Sequence, residues 1–146
     1  IEEQEPSVTS TSSFTANTWT IRNVNTFVHN NGALASVSSG QVTLPAGTYY
    51  AKWSAPSFAG SFHKTRFQNI TDGATVGVGS SEYCPPNTAG LSTASYGSTV
   101  FTITASKALA VQHIVSAPTG GGLDGGRACS FGVVEVYSRL ELYQLS

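Results

Sequence analysis

Three histidines, His29, His63 and His113, and two cysteines, Cys84 and Cys129, are the side chains here best suited to nucleophilic or metal chemistry. A nucleophilic triad needs Ser or Cys within reach of a His that a carboxylate orients. Beyond the acidic start, the carboxylates are Asp72, Glu82, Asp124, Glu135 and Glu141, and no serine sits in a GxSxG elbow. His63 and His113 stand far apart in sequence and the cysteines lack CxxC partners, so no zinc-type ligand set is evident. Sugar hydrolysis needs two carboxyls about 5–10 Å apart. Glu135 and Glu141 would share one strand face roughly 20 Å apart, too far for that role and better placed for ion pairs with Arg139 and its neighbours. The run GGGLDGG at 120–126 does not open a helix and no Lys-Ser/Thr follows it, so it is no phosphate loop. The expectation is a chain with no catalytic residue, no metal ligand and no cofactor.

Of the 146 residues only 10% are charged, and the net charge is −1. Seven Phe, six Tyr and two Trp nevertheless supply the large apolar surfaces that offset chain entropy. The length fits one domain with its own core. A surface of Ser, Thr, Asn and Gly tolerates another subunit, because little charge must be desolvated. No Lys/Arg cluster exists to bind nucleic acid, and no apolar run approaches the ~20 residues of a membrane span. The first residues, IEEQEPSVTSTSS, lack the basic and apolar regions of a signal peptide. With no Met and Ile1 at its start, the chain is expected to be a piece of a longer polypeptide. Cys84 and Cys129 could pair or remain free thiols.

The elements that must position these residues are strands. Residues 1–15 are polar and show no apolar period, as expected of a linker or the end of an upstream stalk, with the domain at 16–146. Strands are expected at 19–28, 41–44, 48–55, 64–70, 75–80, 98–104, 108–115 and 131–145, with no convincing helix. In 48–55, Tyr49, Ala51, Trp53 and Ala55 share one face. In 108–115, Leu109, Val111, His113 and Val115 do. In 131–145, Leu140 and Leu142 oppose Glu135, Tyr137, Arg139, Glu141 and Tyr143. Asp72-Gly73 marks a hairpin turn, with Asn69 supporting it rather than acting as a glycosylation site. Long loops are expected at 83–97 and 117–130. Such spacing implies an all-β sandwich, with an antiparallel jelly roll as the form expected.

Several of these runs, LPAGTYYAKWSAP (44–56), HKTRFQNITDG (63–73), VGVGSSEY (76–83), VFTITASKALAVQHIV (100–115) and FGVVEVYSRLELYQL (131–145), together resemble a known pattern. The first is similar to the strand that opens the core of tumour-necrosis-factor-like and complement-type globular heads. The set resembles the C-terminal knobs of bacteriophage tail fibres and tail needles. That resemblance implies a jelly-roll protomer, a homotrimer, a place at the tip of a fibrous virion protein and a part in host attachment or penetration. It carries no catalytic residue. Two rivals remain, a lectin-like carbohydrate-binding module and a purely structural trimerisation cap.

Two residue sets are therefore candidates. Tyr137, Arg139, Tyr143 and Glu135 would form the trimer interface, because an exposed aromatic strip on a lone monomer is an aggregation hazard. Ligand binding would fall in the long loops, where Arg127 is the one cation and Asp124, Glu82 and Tyr83 flank it. The neutral, hydroxyl-rich loops suit a host-surface glycan or a small polar ligand, although Arg127 could simply pair with Asp124.

Overall fold

Alternating polarity builds strands here, and the computed structural model, which describes residues 1–86, 91–119 and 121–146, is all-β. In chain order the strands are β1 (Glu2–Glu5), β2 (Thr20–Ile21), β3 (Ser36–Ser38), β4 (Gln41–Leu44), β5 (Gly47–Phe58), β6 (Ser61–Asn69), β7 (Ala74–Cys84), β8 (Ser92–Ile103), β9 (Lys107–Val115) and β10 (Glu135–Gln144). Among the described residues the one helical segment is a single 3-10 turn at Asn31–Ala33.

The strands form two antiparallel sheets of a β-sandwich. The first has the order β1-β10-β5-β8. The second has the order β3-β4-β9-β6-β7, with β2 pairing the part of β9 that β4 leaves uncovered. The pairings β6·β7, β5·β8, β4·β9 and β1·β10 are nested, each enclosing the last along the chain. The Asp72-Gly73 hairpin is the innermost point of this nest. Gly73 adopts φ +69°, which only glycine takes at little cost. Asn69 locks the turn: its side-chain amide donates to Asp72 Oδ2 at 2.8 Å, and the Asp72 backbone N–H donates to Asn69 Oδ1 at 3.0 Å.

The period-2 faces hold. Tyr49, Ala51, Trp53 and Ala55 of β5 all point inward, as do Leu109, Val111, His113 and Val115 of β9. Phe67 meets Trp53 across the sandwich with ring centroids 5.7 Å apart, and Phe101 stacks on Tyr49 at 5.6 Å. The Trp53 indole N–H donates to Thr65 Oγ1 at 2.9 Å, which satisfies the one polar atom that burial would leave exposed to apolar surroundings. Gly97 is opposite Trp53 because a Cβ there would overlap the indole.

Both open sides of the sandwich are closed. On one, Ser95 Oγ donates to Ser80 O at 2.7 Å and the Tyr96 N–H donates to Ser80 Oγ at 3.1 Å, tying β8 to β7. On the other, residues 22–26 cross between the sheets. The Arg22 N–H still donates to Val111 O of β9, while the Asn25 and Thr26 N–H groups already donate to Glu2 O of β1.

That crossing corrects the strand expected over 19–28. The strand covers only Thr20–Ile21, although β-branched and aromatic residues continue to Val28, because the chain must then change sheets. Residues 1–15, expected as a linker, include strand β1, whose Glu2 and Gln4 pair with Arg139 and Val136 of β10. The loop expected over 83–97 is shorter, since β7 runs to Cys84 and β8 starts at Ser92. Residues 87–90 of that loop, and Gly120 of the next, lie outside the described residues. The last strand begins at Glu135, four residues later than 131.

Leu140 is 1% exposed and sits in the core cluster, whereas Phe131 is 84% exposed. Leu140→Ala should cost about 2–5 kcal/mol in urea unfolding, with Phe131→Ala near wild type. Matching midpoints for the two variants would contradict this register of β10.

Candidate functional site

The outward face of the first sheet carries a row across three strands. Tyr143 of β10, Tyr50 of β5 and Val100 of β8 are register neighbours, and the two tyrosine rings are 6.2 Å apart. Tyr143, Val100 and the nearby Tyr96 are 54%, 60% and 62% exposed. The charges beside them are already paired: Lys52 with Glu141 at 3.8 Å and Arg139 with Glu2 at 3.0 Å. Next to this face lies a cleft of about 780 Å³ whose lining includes Ile1, Phe27, Leu34, Leu142 and Tyr143.

Only half of the expected interface set lies there. Arg139 and Tyr143 are exposed on this face. Glu135 and Tyr137 are used inside the protomer. Glu135 accepts the N–H groups of Cys129 and Ser130 at 3.1 and 2.8 Å, and these bonds hold its pKa below the usual carboxylate range. Tyr137 donates its hydroxyl to Thr9 O at 2.8 Å, and burial beside Glu135 pushes its pKa up to about 12.

The expected ligand set is also divided. Asp124 is fully buried, accepting the Phe14 N–H at 3.0 Å and the Thr119 hydroxyl at 2.8 Å. Arg127 is exposed, with its guanidinium 5.7 Å from the centre of the Phe58 ring. Glu82 accepts the Ser80 hydroxyl at 2.7 Å. Tyr83 packs its ring on Phe62 at 4.8 Å on the outward face of the second sheet. Cys84 is a buried free thiol and Cys129 an exposed one.

The feature that sequence reasoning missed is an ionic centre between the sheets. Arg22 and Glu3 are both 0% exposed and joined at 2.8–2.9 Å through two nitrogens. The remaining Arg22 donors reach Pro56 O at 3.1 Å and Gly125 O at 2.8 Å. Glu3 also accepts the Thr11 hydroxyl at 2.7 Å and the Ser138 hydroxyl at 2.6 Å. Burial by itself would raise the Glu3 pKa, but Arg22 and these hydroxyls more than offset it, so the net direction is down.

Beside this centre, His63 Nδ1 lies 2.9 Å from His113 Nε2, and His63 Nε2 lies 2.8 Å from Thr93 Oγ1. A hydroxyl, an imidazole and an orienting group in line have the outline of a nucleophilic relay. The bonding opposes that role. To take a proton from Thr93, His63 must hold its own hydrogen on Nδ1 and donate it to His113. His113 would then carry its hydrogen on Nδ1, which is buried without a hydrogen-bond partner. An orphaned buried donor costs about 1–3 kcal/mol. The arrangement with hydrogens on both Nε2 atoms leaves only a lone pair unsatisfied, and His63 then donates to Thr93. Burial outweighs the opposing pull of Glu82 and, with a smaller contribution from the Arg22 charge, brings the His63 pKa down to about 4. A group so hard to protonate is a poor base near neutral pH.

The second sheet has its own outward concavity of about 340 Å³, lined by Asn17, Phe62, Lys64, Ser81, Glu82 and Ile114 among others. No protein-family model matches the chain, and no curated protein matches it. No helix among the described residues is long and apolar enough to cross a membrane.

Two outcomes follow from the buried centre. Glu3→Gln leaves Arg22 charged and unpaired in the interior, and should lower stability by about 3–5 kcal/mol in denaturant titration. A loss under 1 kcal/mol would contradict the burial of the pair. The histidines make stability depend on pH. An unfolded imidazole protonates near 6.5, whereas folded His63 does so only at about 4, and His113 is pushed well below its usual value by burial and then by Arg22. Between these values the unfolded chain binds more protons. Stability should therefore be complete above pH 6.5 and fall toward pH 4, by up to about 1.4 kcal/mol per pH unit for each histidine. Urea midpoints at pH 7.5, 5.5 and 4.5 measure this, and His63→Gln should flatten the slope.

Proposed function

We propose that this chain is the non-enzymatic, trimeric knob of a bacteriophage fibre or tail needle, built as a jelly roll and acting in host-surface attachment or penetration at the tip of the virion. The nested strand pairing supports the jelly-roll form, since rolling one long hairpin produces that pattern. The observation that carries the assembly is the Tyr143–Tyr50–Val100 row, an aromatic strip on a sheet face whose flanking charges are neutralised in pairs. A second copy suits such a face better than a charged partner does, because little charge needs desolvation. Three-fold closure buries the strip without leaving a surface that propagates into filaments. Arg139 and Tyr143 are the interface residues on this view, joined by Tyr50, Val100 and Tyr96. The adjacent cleft shares Tyr143 and gives a neighbouring protomer a recess to enter.

A lectin-like module is the second reading, favoured by the exposed Phe62–Tyr83 pair on the opposite sheet. The two readings are compatible if assembly uses one sheet and recognition the other. A purely structural cap requires the first sheet alone.

Sedimentation equilibrium at micromolar concentration should give three times the protomer mass, and Tyr143→Asp should shift the protein to monomers. The purified wild-type domain should block adsorption of the phage that carries it. A monomer at all concentrations would overturn the assembly, and unimpeded adsorption in the presence of a stable trimer would leave the structural cap.

A further inference from the structure

Phe62 is 67% exposed and Tyr83 49% exposed, yet their rings lie against each other at the end of the second sheet. The pairing Phe62↔Tyr83 sets them side by side on β6 and β7. The Phe62 N–H donates to the Ser116 hydroxyl at 3.1 Å, which fixes the platform to the end of β9. The next outward row holds Ile114, Lys64 and Ser81, and Asn17 is held beside it by its N–H bond to Val115 O at 2.8 Å. Among the described residues, the side-chain polar atoms of Asn17, Lys64 and Ser81 make no hydrogen bond or ion pair. Glu82 also borders the concavity, but it pairs across the strands with the inward His63 and its carboxylate accepts the Ser80 hydroxyl.

We infer that this concavity is a saccharide-binding site, with Phe62, extended at its edge by Tyr83, as the stacking platform and Asn17, Lys64 and Ser81 as hydroxyl partners. The face of an aromatic ring is electron-rich, and the C–H face of a sugar ring is positively polarised, so the two stack. A ligand pocket of this kind pairs such apolar surface with a few convergent polar groups. Here those groups include a cation, an amide and a hydroxyl, which together donate to and accept from a ring of hydroxyls. The volume of about 340 Å³ suits one or two sugar rings. Along β6 the platform is about 13 Å from Arg66, whose guanidinium lies 4.2 Å over Trp19. A polyanion is disfavoured, because Arg66 is engaged by Trp19 and by Gln112 at 2.8 Å, and Lys64 is then the one unpaired cation of this face among the described residues. Assembly through the first sheet, as proposed, would leave this face turned outward, but the site is built within one protomer.

The test is an array of neutral hexose and N-acetylhexosamine oligosaccharides of two to four rings, probed with the wild-type domain and with Phe62→Ala, Tyr83→Ala, Lys64→Ala and Phe131→Ala. Melting temperature and mass are recorded for each sample. Wild type and Phe131→Ala should bind the same array members. Phe62→Ala and Tyr83→Ala should bind at least about tenfold more weakly at unchanged melting temperature, and Lys64→Ala should weaken or shift the preference. Absence of wild-type binding to every member overturns the site, as does binding that both ring variants retain. A trimer that binds no sugar overturns this inference alone, while a sugar-binding monomer overturns the knob and keeps the site.

Discussion

The ion pair between Arg22 and Glu3 is the constraint on which the rest of the sandwich depends. Two opposite charges with no exposed surface are tolerated only when every donor and acceptor is met. Here β1 supplies the carboxylate, the crossing segment supplies the guanidinium, and β5, β10 and the 117–130 loop supply the remaining partners through Pro56 O, Ser138 and Gly125 O. The interaction specifies more than it stabilises. It fixes where the chain leaves the second sheet, how β1 registers on β10, and how the long loop closes over that end. The neighbouring histidines must then remain neutral, because an additional positive charge near Arg22 would be desolvated and repelled.

With that interior fixed, the two outward faces differ in chemistry. The first sheet shows tyrosine and valine with its charges cancelled in pairs. The second shows two adjoining rings next to unsatisfied polar side chains around a recess. An aromatic strip surrounded by cancelled charge matches burial against a like surface. Rings beside open donors and acceptors match a small polar ligand. One protomer can therefore assemble through one sheet and recognise through the other.

The inward faces of β5 and β9 were legible in the sequence because alternation of large apolar residues reports one-sided burial directly. The Asp72-Gly73 turn was legible because few residues tolerate its backbone. The start of the chain was not. Glu2–Glu5 is polar and acidic, and a buried Glu3 leaves no periodic trace when its partner Arg22 lies 19 residues away. Asp124 was misleading for the same reason: a carboxylate in a glycine-rich loop suggests solvent, yet it turns inward to the Phe14 N–H. The N-terminal part of β8, rich in Ser, Thr and Gly, looked like loop because its strand is held by partners and not by its own propensity. Phe62 drew no attention, since a single Phe in a strand is ordinarily core; only the register with Tyr83 brings the two rings together outside.

Hydroxyl-radical footprinting of the purified domain at micromolar concentration tests the division between the two faces most directly. Oxidation rates at Tyr50 and Tyr143 report the first sheet, and rates at Phe62 and Tyr83 report the second. Tyr50 and Tyr143 should be strongly protected, with Phe62 and Tyr83 modified at rates matching their exposure. Tyr143 reacting as fast as Tyr83 would contradict assembly through the first sheet.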